Sequence, residues 1–412
     1  MFAQIALHFG RAANATLAHP NEREASTILR GMARALVLGG GMVGSAMAAD
    51  LAADSDFEVT VADVRADVLE QIGERLHVST VCADLSDPAS VTELARQHDV
   101  VLGALASRLG LQTLRAVIEA GKPYADISFM AEDAMSLSAL AEDRGVTAVV
   151  DCGVAPGMSN MTAGYAASRL DPCERIEIVV GGLPAQRRWP FQYKAPFAPA
   201  DVLEEYTRPA RVVEHGVEVV KEALSEVELI DFPGVGTLEA FNTDGLRSLV
   251  HTLRVPHMVE KTMRYPGHAE LMRMLRHAGF FSTEAIEVSG QSVVPLEVTS
   301  ALLFPKWAFD DREADLTIMR VIATGREQGR RTRLVWDLFD RYDPSTNTRS
   351  MSRTTGFPCT IMARLLVEKR FERPGVHPPE IVGQQPGLLD HFLEQLAARG
   401  VQYDARVEHL ES

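Results

Sequence analysis

The stretch "VLGGGMVGSAMAADLA" spans residues 37–52. An apolar run ends in consecutive glycines at 39, 40 and 41, Gly44 follows, and Val43, Met47 and Leu51 mark one face of an amphipathic segment. With "ARALVLGG" (33–40) reading as a buried strand, the order is strand, tight turn, helix. Each glycine then has a physical task. Gly39 makes the turn, Gly41 lets a pyrophosphate approach the backbone, and Gly44 lets helix pack on strand. The helix start at Met42 and Val43 offers free N–H groups and the positive end of a dipole to phosphates. The glycine spacing alone is weak evidence for a dinucleotide site, and its context decides the matter.

That context is a repeat of strands and helices. "FEVTVAD" (57–63), "VSTVCAD" (78–84), "DVVLGAL" (99–105), "PYADIS" (123–128) and "VTAVVDCG" (146–153) read as further strands, with helical segments between them. Strands joined by helical crossovers are parallel, so the pattern predicts an α/β fold with a doubly wound sheet. Asp63 ends the second strand about 20 residues after the loop, where an acid accepts from ribose hydroxyls. It favours NAD, whereas Arg65 could pair with a 2′-phosphate and leaves NADP open. Ligands of such sheets bind beyond the strand C-termini, which nominates Asp84, Ala104, Ser107, Asp126 and Gly153 for the cofactor edge. Each also reads as a cap or loop residue, Asp84 most of all.

The chain has 412 residues and a formal net charge of -15, and this acidity argues against a nucleic-acid partner. No apolar run is long enough for a membrane helix. Cys82, Cys152, Cys173 and Cys359 lack CxxC spacing, which speaks for buried free thiols in a cytoplasmic protein and against a zinc or disulfide framework. Residues 1–31 read as a disordered or non-native extension, with Met32 as the start of the folded chain. The dinucleotide-binding domain is expected over 32–154.

Over 155–352 the pattern changes to an inserted mixed α/β domain. "RIEIVVGGLP" (175–184) alternates like an antiparallel strand, and "RVVEHGVEVV" (211–220) reads as a hairpin turning at His215-Gly216. "ADLTIMRVIATG" (314–325), "RTRLVWDLFDRYD" (331–343) and "TRSMSRTT" (348–355) suggest a meander. Residues 353–412 read as helices returning to the first domain, so the substrate cleft is expected between the two.

Polar groups concentrate in "DCGVAPGMSNMTAGY" (151–165), "TLEAFNTDGLRSL" (237–249) and "EKTMRYPGHAELMRML" (260–275). In the last, Lys261 and Arg264 leave opposite sides of a strand, and His268 starts a helix whose dipole keeps the imidazole neutral. Arg264 suits a substrate carboxylate. The same residues also read as a helix-capping histidine beside two salt bridges.

GGGMVG, DCGVAPGMSNMTAGY, LEAFNTDG and EKTMRYPGH, in this order, resemble the saccharopine dehydrogenase family, most nearly its lysine 6-dehydrogenases, over about 33 to the chain end. The resemblance implies a Rossmann domain, a homodimer, and hydride transfer from a nitrogen-bearing carbon of an amino acid to NAD or NADP, without a metal. Lysine oxidised at its ε-carbon is the leading expectation; saccharopine or carboxynorspermidine dehydrogenase activity is the alternative. Within that chemistry His268 or Lys261 would be the base, Arg264 the carboxylate anchor, and Tyr193, Thr243, Asp244 and Gly245 substrate-binding residues. "FQYKAPF" (191–197) departs from the lysine 6-dehydrogenases, which carry Asn-His after the Tyr. Here Lys194 and Ala195 follow, and Lys194 is expected to repel a lysine side chain and favour a substrate with a second carboxylate. A reading of another class is an NAD(P)-sensing regulator without turnover.

Overall fold

The computed structural model describes residues 32–411, and the expectation for residues 1–31 lies outside them. The dinucleotide-binding half runs β1 (Ala33–Leu38), α1 (Met42–Ala52), β2 (Phe57–Asp63), α2 (Ala66–Leu76), β3 (Ser79–Cys82) and α3 (Pro88–Arg96). It continues through β4 (Val100–Gly103), α4 (Gly110–Glu119), β5 (Tyr124–Asp126), α5 (Ser138–Asp143) and β6 (Thr147–Val149). The sheet order is β17-β6-β5-β4-β1-β2-β3, every pairing parallel, with β17 (Gly375–His377) joining from the far end of the chain. The reversal beside β1 is the switch point where α/β sheets bind ligands. Local signals set the helix starts: Asp87 accepts from the N–H groups of Ala89 and Ser90, and Pro88 opens α3.

After β6 come α6 (Met158–Arg169), β7 (Cys173–Pro184), α7 (Pro199–Thr207), β8 (Ala210–Glu214) and β9 (Val217–Lys221). Then follow β10 (Glu228–Phe232), β11 (Gly236–Asn242), α8 (Leu249–Thr252), β12 (His257–Arg264), α9 (His268–His277), β13 (Ile286–Val288) and β14 (Gln291–Val293). Next are α10 (Pro295–Trp307), β15 (Asp315–Glu327), β16 (Arg330–Arg341) and α11 (Ser350–Val367). Beyond β17 lie α12 (Pro379–Gly383), α13 (Leu388–Ala398) and β18 (Tyr403–His409). The second sheet is mixed, ordered β10-β11-β12-β7-β15-β16-β18, with β8 and β9 attached beside β12. Strand β7 pairs antiparallel with β15, as expected, and parallel with β12. The expected hairpin turns at His215 and Gly216, both with positive φ.

Three details depart from the sequence reading. "TRSMSRTT" supplies the start of α11 in place of a strand: Asp315 accepts from the N–H groups of Ser350 and Met351, satisfying donors that a strand would need to pair elsewhere. The final segment is not only helical, because β17 completes the first sheet and β18 the second. Cys82 is exposed, while the other free cysteines are buried.

Helix α11 packs on α1, β4 and β5 on one side and on β15 on the other. One apolar core therefore contains Val37 and Met47 of the first layer together with Met319 and Trp336 of the second. The cleft opens over this shared core. Among the described residues no helix is long and apolar enough to cross a membrane.

A dinucleotide cradle facing a charged cleft

The glycine loop is built as its spacing requires. Gly39 has φ +100°, and a Cβ there would lie 2.5 Å from the Ala104 carbonyl oxygen. At Gly44 a Cβ would lie 1.9 Å from the Gly39 oxygen, so only glycine lets α1 meet the turn. Nothing stands within 4 Å of where a Gly41 Cβ would be, and no side chain caps α1. Gly41, Met42, Val43, Ala104 and Gly153 line the same cleft. A backbone cradle with open space above it and uncapped N–H groups fits the pyrophosphate of a nicotinamide dinucleotide.

Asp63 ends β2 beside the glycine loop. Its carboxylate accepts from Gly40 N–H at 2.7 Å, from Arg65 N–H at 2.9 Å and from the Arg65 guanidinium at 3.1 and 3.3 Å. Burial alone would raise its pKa, but these bonds and the Arg65 charge hold it below the usual range. Arg65 itself lines the cleft with its side chain half exposed. The end of the site thus presents an arginine anchored by an acid.

Ser107 lies beside the cleft and donates to Asp201 of α7 at 2.6 Å, linking the two halves. Two nominated acids fall elsewhere. Asp84 is exposed and bonds Ser86 in a local turn, the cap reading of that residue. Asp126 is fully buried behind Gly103 and bonded to Ser128, its pKa raised by burial to about 7, and it does not line the cleft.

The other wall of the cleft comes from α7, β7 and β12. Asp201 and Glu205 stand four residues apart on α7 and both line it, with Thr262 and Arg264 from β12. Burial raises the pKa of both acids, while Ser107 pulls Asp201 back and Arg264 pulls Glu205 back. The Arg264 guanidinium donates to Glu205 at 2.7 Å, the Tyr206 hydroxyl at 3.2 Å and the Met263 carbonyl at 3.0 Å. Its five hydrogens leave two for a ligand. The wall can therefore accept from an ammonium and donate to a carboxylate.

Two family models cover this architecture: a saccharopine dehydrogenase NADP-binding domain over residues 35–149 and a saccharopine dehydrogenase C-terminal domain over 153–401. The chain belongs to the saccharopine dehydrogenase family. A carboxyaminopropylagmatine dehydrogenase of Synechocystis is 23% identical over 394 residues, covering 90% of this chain and 96% of that one. The mouse mitochondrial alpha-aminoadipic semialdehyde synthase is 25% identical over 286 residues, 64% of this chain and 30% of that longer protein. This chain thus spans less than a third of the mouse relative. An L-glutamate-forming, NADP(+) saccharopine dehydrogenase of Pyricularia oryzae is 24% identical over 266 residues, 60% of this chain and 58% of that one. Among solved structures, the L-glutamate-forming saccharopine dehydrogenase of Saccharomyces cerevisiae has a TM-score of 0.76 at 16% identity, covering 91% of this chain and 100% of that one. That likeness shows the fold.

Against this saccharopine dehydrogenase frame, several expected substrate-side residues stand behind the cleft. His268 is buried and does not line it. Its Nδ1 meets the Phe191 carbonyl at 2.9 Å, which requires Nδ1–H to donate, so Nε2 accepts from the Tyr206 hydroxyl at 2.8 Å. Burial and the Arg264 charge push its pKa down to about 3, against the pull of the Phe191 bond. The imidazole is neutral, as expected, with burial the largest cause. It holds Tyr206, which holds Arg264. Tyr193 stacks under the Arg264 guanidinium at 4.6 Å and against His268.

Lys261 leaves the opposite face of β12, bonding Glu228 at 2.7 Å and the Glu226 carbonyl at 2.9 Å, outside the cleft. Strand alternation forces this once Thr262 and Arg264 face inward. Asp244 is held by Arg211 at 2.8 and 2.9 Å, and Thr243 and Gly245 bond Glu260. Lys194 is buried, donating to Glu313 at 2.6 Å and to the Ala308 carbonyl at 2.7 Å, so it does not repel a substrate in the cleft. The sequence reading missed Asp201 and Glu205. Their four-residue spacing after Pro199, in "PADVLEEYT", was the available signal.

Proposed function

We propose that this chain is an NAD(P)-dependent dehydrogenase acting at a CH–NH carbon of an amino acid with a second amine, with L-lysine oxidised at its ε-carbon as the leading reaction. The observation that carries the reading is an Arg264–Glu205 pair and Asp201 lining the cleft that also holds the glycine cradle. An amino acid of this kind brings a carboxylate for the two remaining Arg264 hydrogens and a cationic amine for the acids.

Bound nicotinamide supplies the hydride acceptor, which is chemistry no side chain here provides. The chain's own residues bind and orient. Gly41 and the start of α1 fix the pyrophosphate, Arg264 the carboxylate, and Asp201 and Glu205 the ammonium. Phe129 and Phe197 on the cleft walls reduce access of water to the reacting carbon. Lys194, neutralised by Glu313, offers no obstacle to a lysine side chain.

A second reading is a secondary amine bearing a carboxyalkyl group, the substrate type of saccharopine. The near full-length similarity to carboxyaminopropylagmatine dehydrogenase favours it. Absorbance of reduced nicotinamide decides, with NAD or NADP crossed against L-lysine, saccharopine and carboxyaminopropylagmatine at alkaline pH. Reduction with lysine supports the leading reaction, and reduction with only a secondary amine selects the second. Silence with all three, in protein that binds NAD(P), overturns both and leaves the sensor.

A further inference from the structure

Glu260 is a buried acid that cofactor and substrate binding leave unused. It lies on β12 two residues before Thr262 and four before Arg264, so the three side chains leave one face of the strand. Its residue is 3% exposed. The carboxylate accepts from the Thr243 hydroxyl at 2.7 Å and from Gly245 N–H at 3.0 Å. The charged groups acting on it are Glu205 of α7 and Asp244 of the loop after β11, both carboxylates. Arg264 of the same strand is paired with Glu205, and Arg211 of β8 with Asp244. Ionised, Glu260 is thus a buried anion held by neutral donors, an arrangement that favours taking up a proton. Burial pushes its pKa up to about 8, against the pull of the Thr243 and Gly245 bonds.

The hydrogen-bond directions run one way. Thr243 has a single hydroxyl hydrogen, and an ionised Glu260 only accepts, so that hydrogen points to Glu260. The 2.8 Å contact between the Thr243 and Thr262 hydroxyls must then use the Thr262 hydrogen. Thr262 lines the cleft and keeps lone pairs for a donor there. Both hydroxyls, of Thr262 and then Thr243, donate away from the cleft and toward the acid. Glu205 lines the cleft and can hold the ammonium, but its ion pair with Arg264 at 2.7 Å opposes proton uptake.

We propose that Glu260 takes the proton of the bound amine through Thr262 and Thr243. The proposal rests on the reading of the cleft as an amine dehydrogenase site. One N–H bond of the ammonium breaks, and Thr262 gains that proton as it gives its own to Thr243. Thr243 in turn gives its own to Glu260. The products are a neutral amine, a carboxylic acid and two unchanged hydroxyls, and no oxidation state changes. The freed lone pair is what hydride departure from the adjacent carbon requires.

The test follows kcat/KM against pH for whichever amine the wild-type enzyme oxidises, since that ratio reports groups of the free enzyme. The expected profile rises through about pH 8, the Glu260 limb. Glu260→Gln and Thr243→Val are each expected to lose that limb and about a hundredfold in kcat, the scale of general base catalysis, with KM little changed. Thr243→Ser keeps the hydroxyl and is expected to keep both limb and rate. A limb that survives Glu260→Gln or Thr243→Val overturns the relay, as does one lost only in Glu205→Gln. The infrared band of a protonated carboxyl, followed against pH without substrate, tests the acceptor independently of the amine. Asp126 and Glu380, raised to about 7, also contribute there, so the reading is the difference from Glu260→Gln. A difference band titrating near pH 8, with slower deuterium exchange in Thr243→Val, supports the relay even where no panel amine reacts. Its absence overturns the relay and leaves the dehydrogenase reading to the turnover assay.

Discussion

Arg65 and Asp63 show how one contact changes the meaning of a residue. A carboxylate at the end of β2 signals ribose recognition in the sequence, yet both Asp63 oxygens are engaged by Arg65 and Gly40. Arg65→Ala is expected to weaken NADP binding about ten- to a hundredfold, the scale of a charge-assisted hydrogen bond, with NAD little affected. Calorimetric titration of both cofactors checks this, and an equal loss for both would place Arg65 away from the 2′-phosphate. His268 is legible as a neutral histidine, but its partners are not, because Tyr206 and Phe191 lie far away in sequence. His268→Gln is expected to raise KM for the amino acid more than it lowers kcat, since it acts on Arg264 through Tyr206. Lys261→Ala is expected to change neither. The same histidine sets an acid limit on stability. Its folded pKa of about 3 lies below the ordinary 6.5, so its contribution is complete above pH 6.5 and is lost as pH falls toward 3. Thermal melts over that range should show wild type losing Tm relative to His268→Gln.

At the scale of elements, periodicity and turn chemistry were informative where local rules decide. The strand–glycine–helix unit, the hairpin at His215-Gly216 and the strand–turn–helix ending in α9 all form where the pattern puts them. The start of α11 was illegible because "TRSMSRTT" alternates like a strand, and only Asp315 on a distant strand supplies the helix cap. Helix α6 depends on a close approach that no periodicity reveals. A Cβ on Gly164 would lie 2.3 Å from the Glu380 carbonyl oxygen of α12, a backbone atom that cannot swing aside. Gly164→Ala is expected to cost about 3 kcal/mol, at the upper end of overpacking penalties, read as a lower denaturant midpoint at unchanged m. An unchanged midpoint would mean that α12 is free to move.

For the whole molecule, Asp50 of α1 ties distant parts together. Its carboxylate accepts from Arg364 of α11 at 2.8 Å and from Arg399, just after α13, at 2.7 Å, and it also meets the Thr360 hydroxyl. Asp50→Ala would leave the largely buried Arg399 without a carboxylate and Arg364 with Asp54 alone, and is expected to cost about 3 kcal/mol, the low end for breaking a buried pair. Chemical denaturation checks the size, and a loss below about 1 kcal/mol, the surface-pair range, would assign the fastening to the apolar core instead. The sequence by itself determined the parallel sheet, the strand–glycine–helix loop and the mixed second sheet. These follow from alternation, helical period and turn residues, which are rules of near neighbours. Only the tertiary structure decided that Arg264, Asp201 and Glu205 line one cleft, that His268 and Lys261 stand outside it, and that β17 and β18 close the two sheets. Those outcomes depend on which strand faces meet and which charges pair across long stretches of chain. Burial then sets protonation, and burial exists only once the fold is closed.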